Sequence, residues 1–198
     1  MTEKNKNFEQ WLKLFDENFV KNSLYNVSLF SLIFEQAKSY LITQLRSFYS
    51  LADDNLLETF KENKYGEYEI IQTDNYKNNI LSLDKSELKA CLLWYKNNEI
   101  INQQDFDKFQ EIINYRNFVV HETIRVLKDK DFDKSVLLDL KNIFIKIEKF
   151  WIQIDIETDI ELLESLQREG VAIDKAIDDS YSLLRFYFEY LEQLLTEK

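Results

Sequence analysis

The residues best equipped for chemistry fall in one short run, Asn114-Tyr115-Arg116-Asn117-Phe118-Val119-Val120-His121-Glu122, which holds the only histidine of the chain. An imidazole with an ordinary pKa can give or take a proton near neutral pH, and no other side chain type here does so unaided. Arg116 adds a planar, permanently charged guanidinium suited to holding anionic oxygens. On a helical wheel with Ile113 at zero, Phe106, Phe109, Val120, Ile124 and Leu127 fall within about 40° and form the expected core stripe. Arg116 then sits about 60° to one side, with Asn117 about 40° and His121 about 80° to the other. The three polar groups are expected to straddle a buried stripe. Asn117 and His121 form an i,i+4 pair, close enough for the amide to orient the imidazole. Tyr115, on the far side of the wheel, reads as a surface or interhelix packing residue.

Other candidates read as structure. Asp129-Lys130-Asp131-Phe132-Asp133 resembles the start of a calcium loop, but Lys134 stands where the turn glycine belongs and Leu140 where the bidentate glutamate belongs. A helix-capping acidic turn fits it better. One cysteine, Cys91, excludes an intrachain disulfide framework and thiolate zinc sites, and one histidine excludes a multi-histidine metal site. The carboxylates at Asp53-Asp54, Glu157 to Glu164 and Asp178-Asp179 read as solvated faces and caps, so neither metal nor cofactor is expected. Trp94-Tyr95 and Phe186-Tyr187-Phe188-Glu189-Tyr190 offer stackable rings, but their helical spacing suits core and dimer contacts better than bases.

Arg followed by Asn, with His five positions after the Arg, is the Arg-x4-His pattern of the HEPN (higher eukaryotes and prokaryotes nucleotide-binding) superfamily, which the run Arg116 to His121 resembles. The motif likeness covers residues 116 to 121, and the helical architecture is compatible over roughly residues 23 to 155. The resemblance implies an all-α bundle that forms a homodimer, bringing two copies of the motif into one cleft. In many members it also implies a metal-independent endoribonuclease acting in toxin–antitoxin, abortive-infection or CRISPR-associated systems.

The residue chemistry agrees. Cleaving RNA without metal requires a base for the ribose 2′-OH and an acid for the leaving 5′-oxygen, and His121 is the side chain for either role. Arg116 would steady the charge building on the phosphorane oxygens. A 2′,3′-cyclic phosphate and a 5′-hydroxyl are the expected products, and DNA, lacking the 2′-OH, should survive. In a dimer one histidine would act as base and the other as acid. Asn117 is expected to orient His121 or contact phosphate, with Glu122 in support; Arg125, Lys128 and Lys130 are the nearest cations to guide an RNA backbone. An antitoxin protein is a further expected partner. Some members carry Tyr two positions after the motif His, where a nucleotidyltransferase attaches AMP; Thr123 stands there, which argues against that mechanism. The alternative is a non-catalytic HEPN-like module binding nucleotide, RNA or a protein partner. A third reading is a helical interaction protein with an accidental motif.

These residues need a scaffold, and the composition names its class. The 198 residues are 45% hydrophobic and 15% aromatic, enough for a full core in a single domain spanning residues 1–198. Pro is absent and Gly occurs only at Gly66 and Gly170, which starves the chain of the turn residues that sandwiches, barrels and phosphate loops need. An all-α antiparallel bundle remains. The net charge of −11 argues against a face that wraps duplex DNA, while leaving room for a small RNA site. The N-terminal run lacks the apolar core of a signal peptide and no 18-residue apolar stretch is present, so a cytoplasmic protein without membrane contact is expected.

Apolar residues at spacings of three and four predict a helix from Phe8 to about Val20 and the longest helix from Ser23 to about Asp53, with a break near Asn26 to Ser31. Residues 54 to 83 lose the pattern and read as a long insertion, with a short helix near Leu56 to Lys61 and an extended piece at Glu69 to Thr73. Asp84 with Glu87 predicts a capped helix to about Lys96, Asn102 or Asp105 one to about Leu127, and Asp131 or Asp133 one through Phe150 and as far as Ile154. Thr158 with Glu161 signals a further cap, Gly170 an end, and Asp174 to about Leu195 a last helix.

Overall fold

The computed structural model of the chain describes residues 12, 14–51, 60–62, 64, 66, 68–125, 133–180 and 182–196. Two compact units form, one from residues 1–35, 107–142 and 183–198, the other from residues 36–106 and 143–182. Among the described residues the fold is all-α apart from one two-stranded ribbon. Among the described residues no helix is long and apolar enough to cross a membrane.

Helix α1 runs from Glu17 to Leu51. Its start is set by Asp16, whose carboxylate accepts the backbone N–H of Asn18 at 3.0 Å and of Phe19 at 3.1 Å. The expected boundary near Ser23 is therefore displaced: Asp16 takes the first free N–H groups, and Asn22 and Ser23 fall inside a helix already begun. Nor does the helix break near Ser31, whose hydroxyl donates back to the Val27 carbonyl at 2.8 Å and is consumed within the helix. The helix expected from Phe8 to about Val20 starts outside the described residues and does not run to Val20: Leu14 and Phe15 form a turn, and Glu17 to Val20 belong to α1.

In the insertion, strands β1 (Phe60–Glu62) and β2 (Tyr68–Ile70) pair antiparallel, with Phe60 opposite Ile70 and Glu62 opposite Tyr68. Gly66 takes φ +81° between them, a conformation glycine adopts without steric cost. The short helix expected near Leu56 to Lys61 falls mostly outside the described residues, and Phe60 and Lys61 are strand instead. Asp74–Tyr76 then makes a helical turn that widens into a π-helical turn at Lys77–Leu81, where the asparagines read as loop. Thr73 caps it, accepting the Tyr76 N–H at 3.2 Å, and Tyr76 and Ile80 anchor it in the core.

Helix α2 (Glu87–Asn97) is capped by Ser86, two residues later than the expected Asp84. Asp84 instead accepts the Ser86 N–H and pairs with Lys89. Helix α3 (Gln103–His121) opens with a reciprocal box: the Asp105 N–H reaches the Asn102 side chain at 2.9 Å and the Asn102 N–H reaches Asp105 at 3.0 Å. Its regular run stops at His121, short of Leu127. Asp133 caps α4 (Lys134–Thr158), accepting the Ser135 N–H at 3.0 Å. The Thr158 hydroxyl turns back to the Ile154 carbonyl, so α4 extends past Ile154 and the cap of α5 (Ile160–Glu169) is Asp159, bonded to the Leu162 N–H at 3.0 Å. Gly170 ends α5 at φ +67° as expected. The single last helix divides into α6 (Ile173–Asp179) and α7 (Leu183–Thr196). Between them Ser180 is extended, and Glu148 accepts the Ser182 N–H at 2.8 Å.

In the second unit α1 and α2 run antiparallel, fastened at one end by Tyr95 donating to the Leu41 carbonyl at 3.0 Å and at the other by Arg46 on Glu87 at 2.6 Å. Along α4 the rings of Tyr40 and Phe144 meet at 5.1 Å and those of Phe48 and Trp151 at 5.6 Å. The Trp151 indole donates to the Tyr95 hydroxyl at 2.9 Å, so a wholly buried phenol has a partner on both its donor and its acceptor side. In the first unit α1 and α3 are also antiparallel, with Phe34 on Phe109 at 6.2 Å and Phe30 on Tyr115 at 5.6 Å, and α7 contributes the wholly buried Phe188.

Candidate functional site

Helix α3 is rotated from the orientation its apolar pattern suggests. Phe109, Ile112 and Val119 are buried, whereas Val120 is 39% and Ile124 69% exposed. The cause lies on α1: Phe30 and Phe34 are the rings available to pack against, and Phe109 and Tyr115 meet them. A single-helix wheel cannot see that partner. Arg116 consequently lies within the packed face, between Ile112 and Val119, while Asn117 and His121 are exposed.

Arg116 Nη2 donates to Glu35 Oε1 at 2.6 Å, and its guanidinium carbon lies 5.8 Å from the Phe34 ring centroid. Nη1 reaches the Asn117 side-chain oxygen at 3.2 Å, and Nε is buried with no hydrogen-bond partner among the described residues. The acceptor oxygen of Asn117 thus serves Arg116, where the sequence suggested an amide orienting His121. His121 is the exposed last residue of α3, and the Glu122 N–H continues the helical ladder to the Phe118 carbonyl at 2.8 Å. Residues five apart on a helix diverge by about 140° and rise about 7.5 Å, so Arg116 and His121 of one chain project from different faces. No hydrogen bond joins them.

Glu122 and Arg125 are exposed, with the Arg125 guanidinium 6.0 Å from the Phe118 ring centroid. Lys128 and Lys130 lie outside the described residues. Tyr115 proves to be an interhelix packing residue: its hydroxyl accepts the Asp133 N–H at 2.8 Å, and burial raises its pKa. Among the described residues no three His, Cys, Asp or Glu side chains are gathered in a way that could hold a metal ion.

No protein-family model, curated protein or solved structure matches this chain.

Away from this helix, Glu87 gathers several polar side chains. One of its oxygens accepts Arg46 Nε at 2.9 Å, Arg46 Nη2 at 2.6 Å, Gln72 at 3.2 Å and the Tyr76 hydroxyl at 2.9 Å. The same hydroxyl lies 3.4 Å from the Cys91 sulfur, and burial pushes the Cys91 thiol up to about 11. A thiol so protonated is a poor nucleophile, so this cluster fastens the insertion to α1 and α2. Sequence spacing carried no sign of it, because its members come from positions 46, 72, 76, 87 and 91.

Proposed function

We propose that the chain is a metal-independent endoribonuclease of HEPN type, working as a homodimer and as a toxin or phage-defence effector in the cytoplasm. The observation that carries this reading is the exposure of His121, the only imidazole, at the end of the helix that presents Arg116 in the Arg-x4-His pattern. In the proposed reaction an imidazole removes the ribose 2′-OH proton and the 2′-oxygen attacks phosphorus. The bond to the 5′-oxygen breaks, and a second, protonated imidazole supplies that oxygen's proton. Arg116, already fixed in place by Glu35 and Asn117, would meet the extra charge on the phosphorane.

Two imidazoles require two copies, since each chain has one. The divergence of Arg116 and His121 on a single helix points the same way. A dimer also needs apolar surface, and α7 offers Leu183, Phe186, Tyr187 and Tyr190 on one exposed face.

Cleavage of an end-labelled, mixed-sequence RNA in excess EDTA by wild type and His121→Ala tests the reading. Cyclic-phosphate ends from wild type alone are expected; equal silence from both, with the dimer demonstrated, rejects catalysis. A second reading, a non-catalytic module that binds nucleotide, RNA or a protein such as an antitoxin, is favoured by the Glu35 contact, which already occupies the Arg116 guanidinium. RNA binding that weakens with salt, without turnover, would establish it.

A further inference from the structure

Helix α5 is amphipathic and yet has no buried residue. Helical geometry gathers Ile160, Leu162, Leu163 and Leu166 on one arc of about 160°, opposite Glu161, Glu164 and Glu169. Ile160 is 72% and Leu162 40% exposed, although such a face is ordinarily packed away. The helix is defined at both ends, by the Asp159 cap and by Gly170, so its face is already formed before anything meets it.

The charge around this face selects its occupant. From Asp155 to Asp179 the chain carries nine acidic residues against Arg168 and Lys175, and every one of the nine is exposed. Nucleic acid and anionic lipid would be repelled, and so would the same face of a second copy. We propose that α5 is a docking surface for a cationic amphipathic helix of a protein partner, which lays its apolar side on Ile160, Leu162, Leu163 and Leu166 and sets its lysines and arginines against the flanking carboxylates. This inference does not depend on the nuclease reading.

The test uses the full chain and a fluorescein-labelled peptide of leucine and lysine alone, spaced so that one helical face is all leucine. Its control is a scrambled peptide of the same composition with no apolar face. By anisotropy the patterned peptide is expected to bind at least about tenfold more tightly than the scrambled one, a difference of about 1.4 kcal/mol. Ile160→Ser with Leu162→Ser, both exposed and so harmless to the fold, should abolish that preference. Glu161→Lys with Glu164→Lys should weaken both peptides and flatten the salt dependence. Equal binding of the two peptides, or an undiminished preference in the serine variant, overturns the proposal. So does a change in the chain's own sedimentation on serine substitution, which would assign the face to self-association.

Discussion

Removing the Arg116 side chain separates its place in the packing from its place in the chemistry. The Arg116 side chain is 25% exposed and that of Glu35 40%, so solvent screens their pairing and holds its worth to about 0.5–1 kcal/mol. The guanidinium near Phe34 adds about 0.5–1 kcal/mol. Arg116→Ala should therefore cost about 1–2 kcal/mol, a fall of about 2–8 °C in Tm for a chain of this length. Glu35→Ala removes the ion pair and leaves the guanidinium near Phe34, so the pair's share of the loss should be about 0.5–1 kcal/mol, and the double variant should show a coupling of similar size. Urea denaturation of the four proteins measures this cycle. The same proteins, with Arg116→Lys added, complete the argument in the EDTA cleavage assay. Arg116→Ala and Arg116→Lys should each lose at least about 100-fold in rate, because an ammonium cannot reproduce the guanidinium fork. Glu35→Ala, which leaves the guanidinium in place on Phe34, should stay within about threefold of wild type. A coupling near zero would refute the ion pair. Full activity in Arg116→Lys would refute the role given to the fork, and a loss in Glu35→Ala equal to that in Arg116→Ala would make Arg116 a packing residue only.

Three further outcomes follow from the geometry. Glu87→Ala strips the shared acceptor from Arg46, Gln72 and Tyr76 and should cost about 2–4 kcal/mol in urea denaturation, with Glu87→Gln intermediate. Cys91 rises from 9.0 to about 11 on folding, so the folded chain keeps a proton that the unfolded chain sheds, and stability should fall as pH climbs from 9 toward 11. Cys91→Ala should remove that part of the slope, no more than about 3 kcal/mol, and iodoacetamide should label the wild-type thiol only on unfolding. Sedimentation should find wild type dimeric and the double variant Phe186→Asp, Tyr190→Asp monomeric, folded and unable to cleave RNA; a wild-type monomer that cleaves would sink the two-histidine scheme.

Much of the helix inventory was legible because apolar spacing and capping chemistry are local. Asn102 with Asp105, Asp133 and Gly170 act where the sequence places them. The rest is not legible because it is decided by tertiary contacts. The break between α6 and α7 contains no Gly or Pro, and is held by a carboxylate 34 residues upstream. The packed face of α3 is not legible because Ile113, Val120 and Ile124 make as regular a stripe as the residues that pack, and Phe30 and Phe34 of α1 choose between them. At the candidate site the residue types were legible, while Glu35, the partner that fixes Arg116, lies 81 residues away and carried no local signal.

The unit that contains Arg116 and Glu35 is assembled from residues 1–35, 107–142 and 183–198. Phe188, wholly buried in it, leaves the ribosome roughly 150 residues after Glu35, a delay of about 8–30 s at about 5–20 residues per second. For the first part of that interval Phe30 and Phe34 lack even Tyr115 and Phe109, the rings they pack against. The unit that holds Arg116 and Glu35 thus cannot close on a nascent chain that has not reached its third segment, so the surroundings of the guanidinium are completed only after residues 183 onward have been made.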